Sequence, residues 1–220
     1  MSARVLVLGS DADFHDWHSF TGRAARLDPE AAVRMSVHGD VLVVSSAPLY
    51  PHGLGDRTPL AIGMRMIRLP FPEHDGLDVV VPAAALLDRF ARGRAEGIRE
   101  IPVPPQEVRA SWAGIAPPRG PWEPAGHLGT ADLRRVARDG IEAVAAGTPE
   151  GAGSHAVQQL RTRIWSTPLT ASVEFPIPAA VAFALEGLGF LGAETEDARV
   201  FVCGRWVRVS TAFGHVLSKF

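Results

Sequence analysis

The chain has 220 residues, 46% of them hydrophobic and 21% charged, with 22 Lys and Arg against 24 Asp and Glu for a net charge of −2. That composition excludes a disordered chain, and the even charge argues against a general nucleic-acid coat, whose affinity comes from neutralising phosphates. The lone Cys203 excludes an internal disulfide or a multi-cysteine metal site, and no apolar run approaches a membrane span.

Only Lys219 among the 22 cations is lysine, which with 22 Gly and 18 Pro reads as the codon usage of a GC-rich bacterial genome. Val5 to Leu8 is too short for a secretory leader and ends in acid, so the expectation is a cytoplasmic protein. That segment reads as a short buried strand. Asp13 to Leu27 follows as a helix, with Phe14, Trp17, Phe20, Ala24 and Leu27 at helical spacing, Asp11 or Asp13 as cap, and Pro29 ending it. Val33–Val37 and Val41–Ser46 form a hairpin turning at His38-Gly39-Asp40. A turn-rich loop, Tyr50 to Pro59, leads to a third strand over 60–69.

In the middle, Val79–Val81 runs through Pro82 into a helix over 83–91, and Ile101–Pro104 leads into a second over Glu107–Ile115. Ala116–Gly129, rich in proline and glycine, reads as a linker without regular structure. Amphipathic helices over Thr130–Ala146 and Ser154–Trp165 follow, with Thr130 and Ser154 as caps. Then come a strand over Val173–Ile177, a helix over Pro178–Phe190, and a hairpin of Val200–Cys203 and Trp206–Thr211 turning at Gly204.

The two hairpins match without a gap at Val37/Val202, Gly39/Gly204, Val44/Val209, Ser45/Ser210 and Ala47/Ala212. The fold class expected is therefore α+β, with two strand–helix–hairpin units near the chain ends and inserted helices between them. Internal duplication and a chance likeness of glycine-turn hairpins both remain open. Residues 1–115 and 130–220 are the expected units, packed on each other across the linker at 116–129. In element order, and in the junction Val80-Val81-Pro82-Ala83, the chain resembles the processivity-clamp fold. The helices between Glu107 and Trp165 depart from that pattern, and a charge of −2 departs from what a DNA-encircling ring implies. A shared fold does not carry function with it.

Asp11, His15 and His18 lie one helical turn apart, a spacing at which two imidazoles and a carboxylate hold zinc or a similar ion; a solvated helix face is the plainer alternative. Arg89, Arg92, Arg94 and Arg99 form a cationic cluster for a phosphate-bearing ligand or an acidic protein. Arg134, Arg135 and Arg138 interleave with acids, as on any exposed helix. The loop Tyr50–Thr58, with Gly53, Gly55, Arg57 and Thr58, could cradle a phosphate, although a strand rather than a helix follows it. Gly9-Ser10-Asp11 precedes a helix, but its acids repel an anion. No nucleophile elbow, Walker loop or dinucleotide fingerprint is present, and no cofactor is indicated. Cys203 reads as buried, His127 and His215 as isolated, and Trp112, Trp165 and Trp206 as core. Trp122 either docks the linker or serves a partner surface, with docking favoured.

Two functions are compatible with this sequence. The favoured one is a non-catalytic binding or scaffolding protein that forms homo-oligomers. The alternative is a hydrolase or metal-assisted enzyme with a site near the N-terminal helix, using Asp11, His15 and His18 or a histidine from elsewhere in the chain.

Overall fold

Burial at every second residue builds the strands of this chain, and apolar spacing of 3.6 residues its helices. The computed structural model describes residues 4–148, 153–169 and 175–219. The chain divides into two units, residues 1–48 with 64–114 and residues 49–63 with 115–220. No helix among the described residues is long and apolar enough to cross a membrane.

The first unit contains β1 (Val5–Val7), α1 (Asp11–Leu27), β2 (Ala32–His38), most of β3 (Val41–Leu49), the end of β4 (Ala61–Arg68), β5 (Asp78–Pro82), α2 (Ala83–Glu96) and β6 (Glu100–Pro102). Its sheet runs β5-β2-β3-β4, while β1 and β6 form a separate antiparallel pair. Val33, Met35 and Val37 alternate along β2 with no exposed surface, and Val79 and Val81 alternate, buried, on β5. The helices bring Trp17 and Phe14 edge-on to Phe90, each with ring centroids 5.2 Å apart. Ser10, not an aspartate, caps α1, its Oγ accepting the Asp13 N–H at 3.1 Å. Ser10 donates in turn to the Asp13 carboxylate at 2.6 Å. The Asp13 carboxylate thus takes the Ser10 hydroxyl proton and Ser10 Oγ takes the Asp13 N–H, two donors that a bound anion would need.

The helix expected over Glu107–Ile115 does not form; only a short 3-10 turn, Ser111–Gly114, stands there. Other partners take its backbone groups. The Val108 N–H donates to the Val80 carbonyl at 2.8 Å, and Arg34 Nη1 donates to the Ala113 carbonyl at 2.9 Å. The other arm of Arg34 grips Asp78 through both carboxylate oxygens, at 2.6 and 2.7 Å. That hydrogen bonding outweighs burial and holds the Asp78 carboxyl below the usual carboxylate range.

The second unit contains β7 (Glu123–Gly129), α3 (Thr130–Ala146), α4 (Ser154–Trp165), α5 (Ala180–Gly187), β8 (Asp197–Cys203), β9 (Trp206–Thr211) and β10 (Gly214–Lys219). Its strands run β10-β9-β8-β7 in antiparallel order. The expected linker is therefore structured over half its length. Pairing with β8 gives β7 its ladder, and an end position, with a register shift between Pro124 and Gly126, tolerates the proline. Residues Ala180 to Leu185 are all buried, so α5 is apolar on every side and lies inside its unit. It stops before Phe190 because Gly189, at φ +72°, closes a Schellman motif: the Phe190 N–H reaches the Leu185 carbonyl and the Gly189 N–H that of Glu186. The strand expected over 173–177 falls partly outside the described residues, and Phe175–Ile177 is not a strand.

Helices α3 and α4 have the bounds their spacing predicts, but Gly129 and Gly153 occupy the cap positions. Thr130 turns inward, its hydroxyl lying 2.6 Å from the Ala193 carbonyl and 2.8 Å from that of Glu196. The two predicted hairpins close on Gly39-Asp40 and Gly204-Arg205, pairing His38 with Val41 and Cys203 with Trp206. Each glycine has positive φ, +61° and +56°, while neither following residue does, as a type II′ turn requires.

Candidate functional site

The loop from Tyr50 to Leu60 joins β3 to β4, and its glycines do not leave an open anion cradle. Gly55, at φ +85°, bends the loop so that the Asp56 carboxylate folds back inside it. Asp56 accepts the His52 N–H at 2.9 Å, the Thr58 N–H at 2.8 Å and the Thr58 hydroxyl at 2.6 Å. Burial opposes its charge, but these donors outweigh burial and hold the carboxyl below the ordinary range.

Thr58 is buried and pins this loop to α4. A hydroxyl has one proton and two lone pairs. The proton goes to Asp56; the oxygen accepts Gln158 Nε2 at 3.1 Å, and the Thr162 hydroxyl, 2.8 Å away, donates to it as well. Thr58→Val keeps the shape and leaves three polar groups short of a partner. It is expected to cost about 2 kcal/mol, read as a lower urea midpoint at unchanged slope.

Two concavities flank the pinned loop, both within the second unit. One, of about 590 Å³, lies between the loop tip and α4 and is lined by His52, Asp56, Arg57, His155, Gln159 and Arg163 among others. The other, of about 470 Å³, has a floor of Pro51, Pro59, Leu60, Ile115 and Pro178, rimmed by Arg57, Arg205 and Lys219. Arg57 lines both. At the loop tip Leu54 stands wholly in solvent.

Asp11, His15 and His18 are not brought together as a ligand set; among the described residues no group of three His, Cys, Asp or Glu could hold a metal. Asp11 extends toward Arg99 at 3.7 Å, and His15 lies 3.4 Å from Ser19 Oγ. His18 packs edge-on against Phe90 and lies 3.3 Å from Arg94. Burial first, then Arg94 and His15, hold its imidazole below its ordinary value. The arginine cluster is likewise dispersed. Arg94 turns to His18 and Arg99 to the Gly9 carbonyl. Arg89 and Arg92 line a cavity of about 330 Å³ with Asp88, Glu96 and Glu100, so acids outnumber cations there.

Arg134 proves structural, reaching Glu186, Glu194 and the Gly192 carbonyl. Trp122 is half-buried, with the Arg208 guanidinium 4.8 Å from its ring and 4.5 Å from that of Phe201. Burial and then neighbouring Arg199 push the Arg208 pKa down. His215 Nδ1 lies 2.9 Å from Ser210 Oγ, and Cys203 is a partly buried free thiol. Sequence reading did not single out Gln158, Thr162, His155 and Arg163. They sit on α4, about a hundred residues from the loop they serve, and no local spacing signals that meeting.

Residues 1–114 match the family described as Domain of unknown function (DUF8010), and residues 117–220 the one described as Domain of unknown function (DUF8185). No curated protein matches the sequence. Among solved structures the chain is similar to a DNA polymerase III beta subunit from Eubacterium rectale, at 9% identity and a TM-score of 0.54. It is also similar to DNA polymerase III subunit beta from Borrelia burgdorferi in complex with a natural product, at 7% and 0.52, and to that from Pseudomonas aeruginosa, at 13% and 0.50. Each comparison covers 98% of this chain. The chain spans 63–64% of the length of these neighbours. At such identities the likeness shows the fold: mixed α and β, of the polymerase III beta type.

Proposed function

The chain belongs to the DUF8010 family, and we propose that it is a non-catalytic scaffold whose second unit holds an extended segment of a partner protein. The groove beside the Tyr50–Leu60 loop carries this reading. Its proline-rich floor has few N–H donors, so it holds an occupant by apolar contact, and its charged rim of Arg57, Arg205 and Lys219 favours acidic flanks. The fold neighbours supply a second support, since their descriptions make them subunits of a larger polymerase assembly. Self-association and descent from a duplicated strand–helix–hairpin unit, with a domain boundary near residue 115, belong to the same reading. The metal-assisted alternative has no support from the positions of Asp11, His15 and His18.

The test is a displayed library of random peptides selected on the purified full chain. Enriched peptides should combine apolar and acidic residues, and should bind Ile115→Glu at least tenfold more weakly while its melting temperature is unchanged. No enrichment, or enriched peptides that bind Ile115→Glu equally well, would count against the groove.

A further inference from the structure

We propose that the other concavity, between the Gly53–Gly55 loop tip and α4, is a binding site for a phosphate-bearing ligand. Its volume of about 590 Å³ lies in the range of small-molecule sites. Every charged or titratable side chain in its lining is counted here: Arg57, Arg163, His52, His155 and Asp56. Asp56, the sole carboxylate among them, is turned into the loop by three donors, so it is already satisfied. Neither Arg57 nor Arg163 has a salt bridge to a described carboxylate. Two arginines against one carboxylate, which keeps its charge but is turned into the loop, leave a net positive lining that favours an anion. A single carboxylate would satisfy one guanidinium, whereas a phosphate offers three oxygens to both forks.

The walls are set before any ligand arrives. The four-way contact at Thr58 fixes the loop to α4, so Arg57 and Arg163 project from elements already locked together. Such preorganisation reduces the ordering cost that binding must overcome. A cation is disfavoured by the same arginines, and among the described residues no three His, Cys, Asp or Glu side chains are grouped so as to hold a metal. This inference stands apart from the peptide groove, although Arg57 borders both.

Titration of the full chain with sodium phosphate, pyrophosphate and ATP at fixed ionic strength tests it, by calorimetry and by amide NMR shifts. At least one probe should saturate, shifting the amides of Gly53, Gly55 and Gln159. Arg163→Ala should weaken that binding at least tenfold, and Arg138→Ala, at an exposed position of α3, should leave it unchanged. Arg57→Ala, in the solvent-facing loop, gives the same readout should Arg163→Ala alter the fold. Tighter binding of ATP than of pyrophosphate identifies a nucleotide ligand, and the reverse a free phosphate. No saturation by about 10 mM of any probe, or affinities indifferent to both arginines, overturns the proposal.

Discussion

Trp165→Ala is expected to destabilise the second unit by about 4 kcal/mol, the usual scale for emptying a buried tryptophan site. Trp165 ends α4 with 1% of its surface exposed. Its ring lies 4.6 Å from that of Phe183 on α5, and it fills the space left open at Gly140, where a Cβ would overlap it. Truncation empties the point at which α3, α4 and α5 meet. Since α4 also carries Gln158 and Thr162, the Thr58 contacts should loosen with it, and phosphate binding should fall together with stability. Two further substitutions separate volume from polarity. Gly140→Ala presses on the ring from the other side and is expected to cost about 2 kcal/mol by overpacking. Trp165→Phe keeps most of the volume and removes Nε1, which is buried with no hydrogen-bond partner among the described residues, so its cost should be the smallest of the three. Urea unfolding of the three variants checks the order.

A comparable loss, again about 4 kcal/mol, is expected in the first unit for Trp17→Ala. Trp17 has no exposed surface and meets Phe90 edge-on at 5.2 Å, tying α1 to α2. The Phe14–Phe90 contact alone cannot close that gap, and Gly93 already lets the Phe14 ring approach α2 closely. Neither concavity of the second unit includes a residue of α1 or α2. Trp17→Ala should therefore lower stability and leave peptide and phosphate affinity of the folded protein intact. A loss of affinity measured well below its melting temperature would show that the site extends beyond the second unit.

What the sequence disclosed follows from the range of each signal. The hairpins at Gly39 and Gly204 were legible because a two-residue turn announces itself locally. Helices α3 and α4 were legible because their apolar spacing runs unbroken to both ends. Strand β7 was hidden by its prolines and glycines, since the ladder that makes it a strand comes from β8, some seventy residues away. At the start of α3, Gly129 displaced the expected cap because Thr130, whose hydroxyl has tertiary partners, leaves the cap role. At Asp11, His15 and His18 helical spacing correctly gives residues a turn apart, but not what packs against them. Phe90 and Arg94 sit against His18, and Arg99 draws Asp11 away. The loop at Tyr50–Thr58 was visible as glycine-rich; its union with α4 through Thr58 was not.

The central claim is that the groove of the second unit receives an extended partner segment. Hydrogen–deuterium exchange of the full chain, saturated with the best peptide from the library, tests it most directly. The account predicts slower exchange at Arg57, Leu60, Ile115, Arg205 and Lys219, with α1 and α2 unchanged. Protection confined to other surfaces, or none at saturation, would contradict it.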